Sequence, residues 1–224
     1  MGNIRCRFGA KKMPMRPGEG VLEGFAAVRA RPLQFVGAAD CSGIANMIAF
    51  VLKYAFGARE NLGGGATAAG VMVMRDGHIR VSADGTNLPF AVDDKGANTL
   101  DTYFTEIATG ASPASALYIV SAFSDRLVVT LGSHGRQWQQ SFCGDESWTN
   151  LEDLGPAKDD VLTIDFWPRA DMFKPAVDID CLAFRLKDIL SVYPGKALTL
   201  VDERTGQQSM IYSVGTNSSS QAHI

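Results

Sequence analysis

Apolar residues recur at the three- and four-residue spacing of an α-helix in five segments of the chain. The pattern is strongest between Asp40 and Gly57. Asp40 or Ser42 is a suitable N-cap for that helix, and Gly57 is a suitable end. The same spacing predicts four more helices, over residues 22–30, 98–109, 113–123 and 177–191.

Shorter apolar runs, separated by turn residues, indicate β-hairpins. Asp76-Gly77 lies between the runs Val71–Met74 and Ile79–Ala83, and Asp-Gly between two apolar runs is a strong hairpin signal. Residues 61–70 are predicted to be a Gly/Ala loop. The other predicted strands are Leu127–Leu131, Gln137–Phe142, Val161–Phe166, Ala197–Val201 and Ser209–Val214. Because most strands come as hairpins, the predicted class is α+β: a single mixed, mostly antiparallel sheet covered on one face by helices.

The charge balance narrows the function classes. The chain has 21 Lys and Arg residues against 24 Asp and Glu residues, a formal net charge of −3. A dedicated nucleic-acid-binding protein needs a basic face to neutralise phosphates, so nucleic acid is not expected as a partner. No apolar run reaches the roughly 18–20 residues that span a membrane. No apolar segment follows the basic N-terminus, so we expect neither a signal peptide nor a membrane partner.

The cysteines and histidines are too scattered to predict a metal site. Four cysteines and three histidines are spread along the chain, and none has the spacing of zinc ligands. A chain of this length needs no disulfide framework, so we expect a reducing compartment, the cytoplasm. His78 and His134 fall at predicted hairpin turns and are expected to be turn residues. No metal and no cofactor are predicted.

The two ends of the chain differ in composition from its centre. Residues 1–20 are rich in Gly, Pro and Arg and predict a flexible basic arm. Residues 215–224 are rich in Ser and predict a flexible tail. Residues 21–214 are predicted to form a single domain.

Five segments carry distinctive motifs in a fixed order. They are G-F-A-A-V-R-A-R-P-L-Q-F-V-G (24–37), D-G-T-N-L-P (84–89), V-L-T-I-D-F-W-P (161–168), R-L-K-D (185–188) and D-E-R-T-G (202–206). They resemble the motifs G-L-x-x-V-R-x-R-P-x-M-Y-I-G, D-G-R-G-I-P, G-T-x-V-x-F-W-P, R-L-R-E and D-E-R-T-G of the ATPase domain of DNA gyrase B and topoisomerase IV. The resemblance covers residues 21–214 and implies the GHKL (Bergerat) ATP-binding fold.

The resemblance also implies that the ATP chemistry of the family is missing. The family's catalytic Glu and its Mg²⁺-binding Asn align with Phe50 and Tyr54. Its adenine-binding Asp aligns with Ala83, and the supporting Thr aligns with Leu162. Its glycine-rich phosphate loop aligns with residues 110–116, which lack the glycine pattern. We therefore expect a degenerate domain that neither binds ATP well nor hydrolyses it, and that has no topoisomerase activity alone.

The replacements make the aligned site apolar, with aromatic walls. The expected ligand-binding residues are Phe50, Tyr54, Ala83, Asp84, Leu88, Tyr103 and Leu162. Tyr54 and Glu106 are the candidate catalytic residues, and Lys53 is a further polar neighbour. Other interpretations remain open: the site is filled by its own side chains, Asp84 supports a turn, Lys53 lies on a solvated helix face, and Glu106 lies on the surface.

These residues leave several functions open. The first is binding of a hydrophobic small molecule, as a cofactor-independent cyclase or isomerase of natural product biosynthesis. The alternative is a non-catalytic interaction or decoy protein, which forms a homodimer through the N-terminal arm or pairs with cellular gyrase. The third is residual weak nucleotide binding.

Overall fold

The computed structural model describes residues 24–57, 65–86, 88–94, 96–105, 114–143, 146–147, 149–173 and 177–212. The predicted arm (1–20) and tail (215–224) lie outside these residues. The helices are α1 (Gly24–Arg29), α2 (Pro32–Phe35), α3 (Cys41–Phe56), α4 (Thr99–Thr105), α5 (Ala114–Ala122) and α6 (Ile179–Leu190). The strands are β1 (Ala68–Val73), β2 (Ile79–Ala83), β3 (Ser124–Ser133), β4 (Arg136–Cys143), β5 (Glu146–Ser147), β6 (Glu152–Pro156), β7 (Leu162–Pro168), β8 (Ala197–Asp202) and β9 (Gln207–Tyr212).

The strands form one mixed sheet in the order β5-β4-β3-β7-β2-β1-β8-β9, with β6 paired to β4 beside β5. Strands β1 and β8 run parallel, and the other named pairs in the described part of the chain are antiparallel. The predicted hairpins are present as the strand pairs β1–β2, β3–β4 and β8–β9. The predicted α+β class, with a single mixed and mostly antiparallel sheet, is confirmed.

The helices cover one face of the sheet because the strands alternate. Val81 and Ala83 on β2, and Leu162 and Ile164 on β7, are buried, while the residue between each pair, Ser82 or Thr163, is half-buried. Successive side chains of a strand point to opposite faces, so the buried set defines the helix-covered face. Helices α3, α5 and α6 pack against the strands and enclose one apolar core.

Local capping fixes the bounds of α3, the helix that carries the candidate site. The Asp40 carboxylate accepts a hydrogen bond from the Ser42 amide at 2.7 Å, as an N-cap does. At the other end, the Gly57 amide donates to the Lys53 carbonyl at 2.9 Å. The helix therefore begins and ends where the sequence predicts.

Several segments differ from the sequence-based prediction, and the short elements α2 and β5 are among those that were not predicted. Residues 68–70, predicted as part of a loop, begin β1 because their backbone pairs with both β2 and β8. Strand β6 was not predicted, since its five residues show no apolar alternation and are mostly exposed. It forms because the edge of β4 offers unpaired backbone groups, and an ion pair between Arg136 and Asp153 joins the two strands.

Gly43 lies where the first turn of α3 meets the preceding chain. A Cβ at this position would lie 2.0 Å from the backbone oxygen of Ala38. We expect Gly43→Ala to lower the free energy of unfolding by about 2–3 kcal/mol, although alanine is the better helix former. Urea unfolding of the two proteins measures this difference.

The matched control is Gly96→Ala. A Cβ there meets nothing within 4 Å, but the residue has a φ of +82°, so the cost is the backbone strain alone, about 1–2 kcal/mol. A Gly43→Ala protein that is as stable as the parent would contradict the close approach of Ala38.

Candidate functional site

The four residues aligned with the ATP site lie on α3 and on the neighbouring strands β2 and β7. Phe50 and Tyr54 are one helical turn apart on α3, and Ala83 pairs with Leu162 across β2 and β7. Helix α3 packs on both of these strands. Its last turn is tied to the entry of β1, since the Ala66 amide donates to the Ala55 carbonyl at 2.8 Å.

These side chains are packed rather than solvated. Tyr54 is 6% exposed, Ala83 8%, Leu88 5% and Leu162 1%. All four belong to the main core, while Phe50 and Tyr103 are half-buried and pack against it. The rings of Tyr54 and Tyr103 lie 6.4 Å apart between centroids. The site is therefore an apolar floor filled by its own side chains, with two aromatic rings that retain contact with solvent.

Helix α4 supplies the aromatic side of the site, and polar contacts hold it in place. The Asn98 side chain accepts the Leu100 amide at 2.9 Å and caps the helix. The buried Gln140 on β4 donates to the Asp101 carboxylate at 2.8 Å. Phe104, which is fully buried, packs on Phe142 of β4 with ring centroids 5.0 Å apart. These contacts fix the position of Tyr103 next to α3.

The floor of the site has no group for nucleotide chemistry. Phe50, Ala83 and Leu162 carry no polar atom, and the Tyr54 hydroxyl is the one side-chain oxygen among the four aligned positions. A magnesium ion prefers carboxylate and carbonyl oxygens. In the described part of the chain, no group of three or more His, Cys, Asp and Glu side chains could hold a metal ion.

Asp84 joins the end of β2 to the start of β1. Its carboxylate accepts hydrogen bonds from the Thr67 amide (2.8 Å), the Thr67 hydroxyl (2.6 Å) and the Ala68 amide (3.1 Å). Partial burial alone would raise the pKa of Asp84, but these hydrogen bonds outweigh it and lower the pKa. The geometry matches the structural interpretation of Asp84 more closely than ligand binding.

The structure describes one of the remaining polar candidates. Lys53 is exposed on α3, as expected for a solvated helix face. Glu106 lies outside the described residues, and so do positions 110–113 of the aligned phosphate loop. Of the two candidate catalytic residues, Tyr54 is the one that lies in the described part of the chain, on α3.

A charged cluster on the opposite face of β2 and β7 was not predicted. His78 is 9% exposed and bonds to the carboxylates of Asp76 at 2.5 Å and Asp165 at 3.3 Å. Arg80 donates to the same Asp165 carboxylate at 2.7 Å. The ring of Trp167 stacks on His78, with centroids 4.3 Å apart. His78 lies in the β1–β2 turn, as expected, but its burial and its contacts with two carboxylates were not predicted.

Strand register explains this cluster. Arg80 pairs with Asp165 across the two strands. His78 lies two positions before Arg80, just as Trp167 lies two positions after Asp165. His78 and Trp167 therefore meet on the same face. The alternation of both strands was visible in the sequence, but the pairing register was not.

We expect this cluster to make stability depend on pH. Burial lowers the pKa of His78, but hydrogen bonds to Asp165 and Asp76 outweigh it and raise the pKa above 6.5. The stabilisation is therefore complete below pH 6.5 and is lost as the pH rises through the pKa of the folded state. The pKa of Asp165 is lowered, because contacts with His78 and Arg80 outweigh burial, so its contribution is lost only in acid, below the ordinary value of 3.8.

Urea unfolding between pH 5 and pH 9 measures this effect. The free energy of unfolding is expected to fall above pH 6.5 in the parent and to fall less steeply in His78→Asn. His134→Asn, which changes an exposed turn histidine, should keep the parental slope. Equal slopes in the parent and His78→Asn would contradict the assignment.

Comparison with known proteins identifies similar chains. DNA gyrase B of Mycobacterium tuberculosis (strain ATCC 25177 / H37Ra) is 29% identical over 204 residues, which cover 85% of this chain and 30% of that protein. DNA gyrase B of Mycobacterium leprae (strain TN) is 28% identical over 207 residues, with the same coverage of each chain. DNA topoisomerase 4 B of Mycoplasma genitalium is 27% identical over 208 residues, 86% of this chain and 32% of that protein.

No protein-family model matches the chain. Among the described residues, no helix is both long and apolar enough to cross a membrane. The chain spans about 30% of the length of the gyrase proteins that it matches. The motif order, the mixed sheet and these relatives together indicate that the chain is a homologue of the ATPase domain of DNA gyrase B and topoisomerase IV B.

Proposed function

We propose that this gyrase B-like chain has lost ATP binding and hydrolysis, and that its former nucleotide site binds an apolar small molecule. The observation that carries the proposal is the placement of Phe50 and Tyr54 on α3, the helix that packs on the two strands where Ala83 pairs with Leu162. Each stands where the resemblance expects a polar group of the ATP site. The net change is from a water-holding site to an apolar one.

The loss of ATP chemistry follows from what these side chains lack. Without a carboxylate at position 50, no general base activates water, which costs about 10²–10⁴ in rate. Without the amide at position 54, magnesium loses its protein ligand. Without the carboxylate at position 83, the adenine amino group loses a charged hydrogen bond, at about 1.5–3 kcal/mol. Because the three losses affect catalysis, magnesium binding and adenine binding separately, their effects on ATP turnover multiply.

The chemistry that remains suits an apolar ligand with little polar recognition. The half-buried rings of Phe50 and Tyr103 flank the buried floor, and aromatic walls with few polar groups are typical of sites for hydrophobic molecules. A cyclase or isomerase without cofactor needs substrate folding and one acid. The Tyr54 hydroxyl is the acid proposed here, and Glu106 is the second candidate from the sequence. Because the floor is filled, a ligand must displace side chains or bind against the two rings.

Thermal unfolding with added ligand tests the proposal. A panel of polycyclic and polyene hydrophobic compounds is compared with ATP and magnesium at millimolar concentration. We expect at least one apolar compound to raise the Tm and ATP to leave it unchanged. Phe50→Ala should abolish the shift, whereas Phe184→Ala, which truncates a ring on α6 that is 65% exposed, should preserve it.

Two results would overturn parts of this proposal. Millimolar ATP that raises the Tm, or produces heat in calorimetry, would establish residual nucleotide binding. A panel that leaves the Tm unchanged throughout would remove the support for a small-molecule site. That second result leads to the alternative function.

The alternative is a non-catalytic interaction protein of the cytoplasm, and the burial of Tyr54 and Leu162 favours it. Side chains packed in this way can stabilise the fold without binding a ligand. Such a protein would act through its surface, as a homodimer through the basic arm (1–20) or as a decoy for cellular gyrase. Light scattering of the purified chain and pull-down of gyrase by the tagged chain distinguish these modes. A monomer that captures no gyrase at micromolar concentration would contradict both.

A further inference from the structure

Two cysteine thiols lie side by side where α3 and α6 begin. Cys41 is the first residue of α3, and Cys181 is the third residue of α6, 140 positions later. Their side chains are in hydrogen-bonding contact. The Cys41 sulfur also lies 3.5 Å from the carbonyl oxygen of Asp178, the N-cap of α6. The two helices therefore hold the pair together although the residues are far apart in sequence.

Both thiols are free and partly exposed to solvent. Cys143 on β4 is disulfide-bonded, a state that the cysteine spacing did not predict, so it is not available as a thiol. Helix α6 holds Cys181 in place, because the Asp178 carboxylate accepts the Cys181 amide at 3.1 Å. A pair of free thiols at one packed helix–helix contact has no role in the apolar site described above.

We propose that Cys41 and Cys181 form a reversible disulfide, with a low-molecular-weight disulfide such as oxidised glutathione as the oxidant. The bond covalently joins the first turn of α3 to the first turn of α6. Its basis is the contact between the two thiols and their access to solvent. It is independent of whether the apolar site binds a ligand.

The exchange is balanced in two steps. The Cys181 thiolate attacks one sulfur of oxidised glutathione, which breaks the glutathione disulfide and releases one glutathione thiolate. The Cys41 thiol then loses its proton as its sulfur attacks the Cys181 sulfur of the mixed disulfide, and the second glutathione leaves. The two protons lost by the protein are taken up by the two glutathione thiolates. The protein is oxidised by two electrons, and the glutathione disulfide is reduced by two.

The surroundings of Cys41 explain why it acts second. Burial, the neighbouring Cys181 and the carboxylates of Asp178 and Asp40 raise the pKa of Cys41 to about 12. It therefore holds its proton at neutral pH, and a thiol is a poor nucleophile. Once Cys181 carries glutathione, Cys41 is the adjacent group that resolves the mixed disulfide.

The test uses the full chain in buffers of varied ratio of reduced to oxidised glutathione. We expect mass spectrometry to show the loss of two hydrogens and no retained glutathione, and peptide mapping to show a Cys41–Cys181 cross-link. The oxidised chain should have a Tm higher by about 5–15 °C, because the bond closes a long loop. Dithiothreitol should reverse that increase. Since Cys143 is unchanged by mild oxidation, the Cys41–Cys181 peptide is the specific readout.

The matched variants are Cys41→Ser and Cys181→Ser. Cys41→Ser should retain one glutathione on Cys181, whereas Cys181→Ser should react far more slowly than the parent. A parent chain that keeps glutathione on Cys181 without forming the cross-link would overturn the proposal. So would two thiols that stay reduced at every ratio. Both readings are made on the parent, so they hold even if a variant fails to fold.

Discussion

Replacing Tyr54 by alanine is expected to lower the free energy of unfolding by about 3–5 kcal/mol. The ring is 6% exposed and belongs to the main core, and it packs towards Tyr103 at 6.4 Å between centroids. Deleting it removes buried apolar surface and leaves a cavity under α3. An open ligand pocket would respond differently, because a ring that lines solvent loses little when it is truncated.

Urea unfolding at a fixed pH measures the effect, and two variants isolate its cause. Tyr54→Phe keeps the ring and removes the hydroxyl, at an expected cost below about 1.5 kcal/mol. Phe184→Ala removes an exposed ring and should stay within about 0.5 kcal/mol of the parent. If Tyr54→Ala costs less than the exposed control, the filled site is wrong, and an open apolar pocket becomes the better description.

The sequence predicts those elements whose determinants are local. Asp40 and Gly57 bound α3 because a cap acts on the amides next to it. Asp76-Gly77 closes the β1–β2 hairpin because Gly77, with a φ of +86°, takes a conformation that other residues avoid. Helix α6 likewise begins at the carboxylate of Asp178. Such signals need no knowledge of the rest of the fold.

Other features depend on contacts that a single sequence does not contain. Strand β6 exists because the edge of β4 is available, and nothing in its own five residues indicates a strand. The environment of His78 depends on the register between β2 and β7. The apolar site was predicted through the resemblance, since periodicity alone cannot show that Phe50 approaches Leu162. Whether that site is open depends on side-chain packing, which only the structure describes.

The motifs that match the gyrase family best are those that hold this fold together. Arg29 donates to the Ala122 carbonyl at 2.6 Å and lies over the ring of Phe25, which ties α1 to α5. Trp167 lies between His78 and Arg126 on the outer face of the sheet. These contacts give Arg29 and Trp167, both within the matching motifs, structural roles in the helix layer and on the sheet.

Replacing Asp202 by alanine should cost about 1.5–3 kcal/mol, because it removes the buried carboxylate that accepts charged hydrogen bonds from the partly exposed Arg204. Asp202 is 2% exposed and accepts the Arg204 guanidinium at 2.8 and 2.9 Å and the Arg204 amide at 3.0 Å. Arg204 in turn donates to the Val177 carbonyl at 2.8 Å. These hydrogen bonds connect the β8–β9 turn to the segment that leads into α6. The Arg204 contact, against the opposing effect of burial, lowers the pKa of Asp202, so the carboxylate stays charged at neutral pH.

A double-mutant cycle with Arg204→Ala separates the pair from its surroundings. If the two side chains act through each other, Asp202→Ala and Arg204→Ala should couple by more than about 1 kcal/mol. Glu203→Ala removes the neighbouring carboxylate of the same turn, which is not part of this ion pair, and should cost less than about 1 kcal/mol. Additive effects in the cycle would mean that Asp202 stabilises the turn through the Arg204 amide alone. The retained D-E-R-T-G motif would then act as a backbone cap rather than as a bridge to α6.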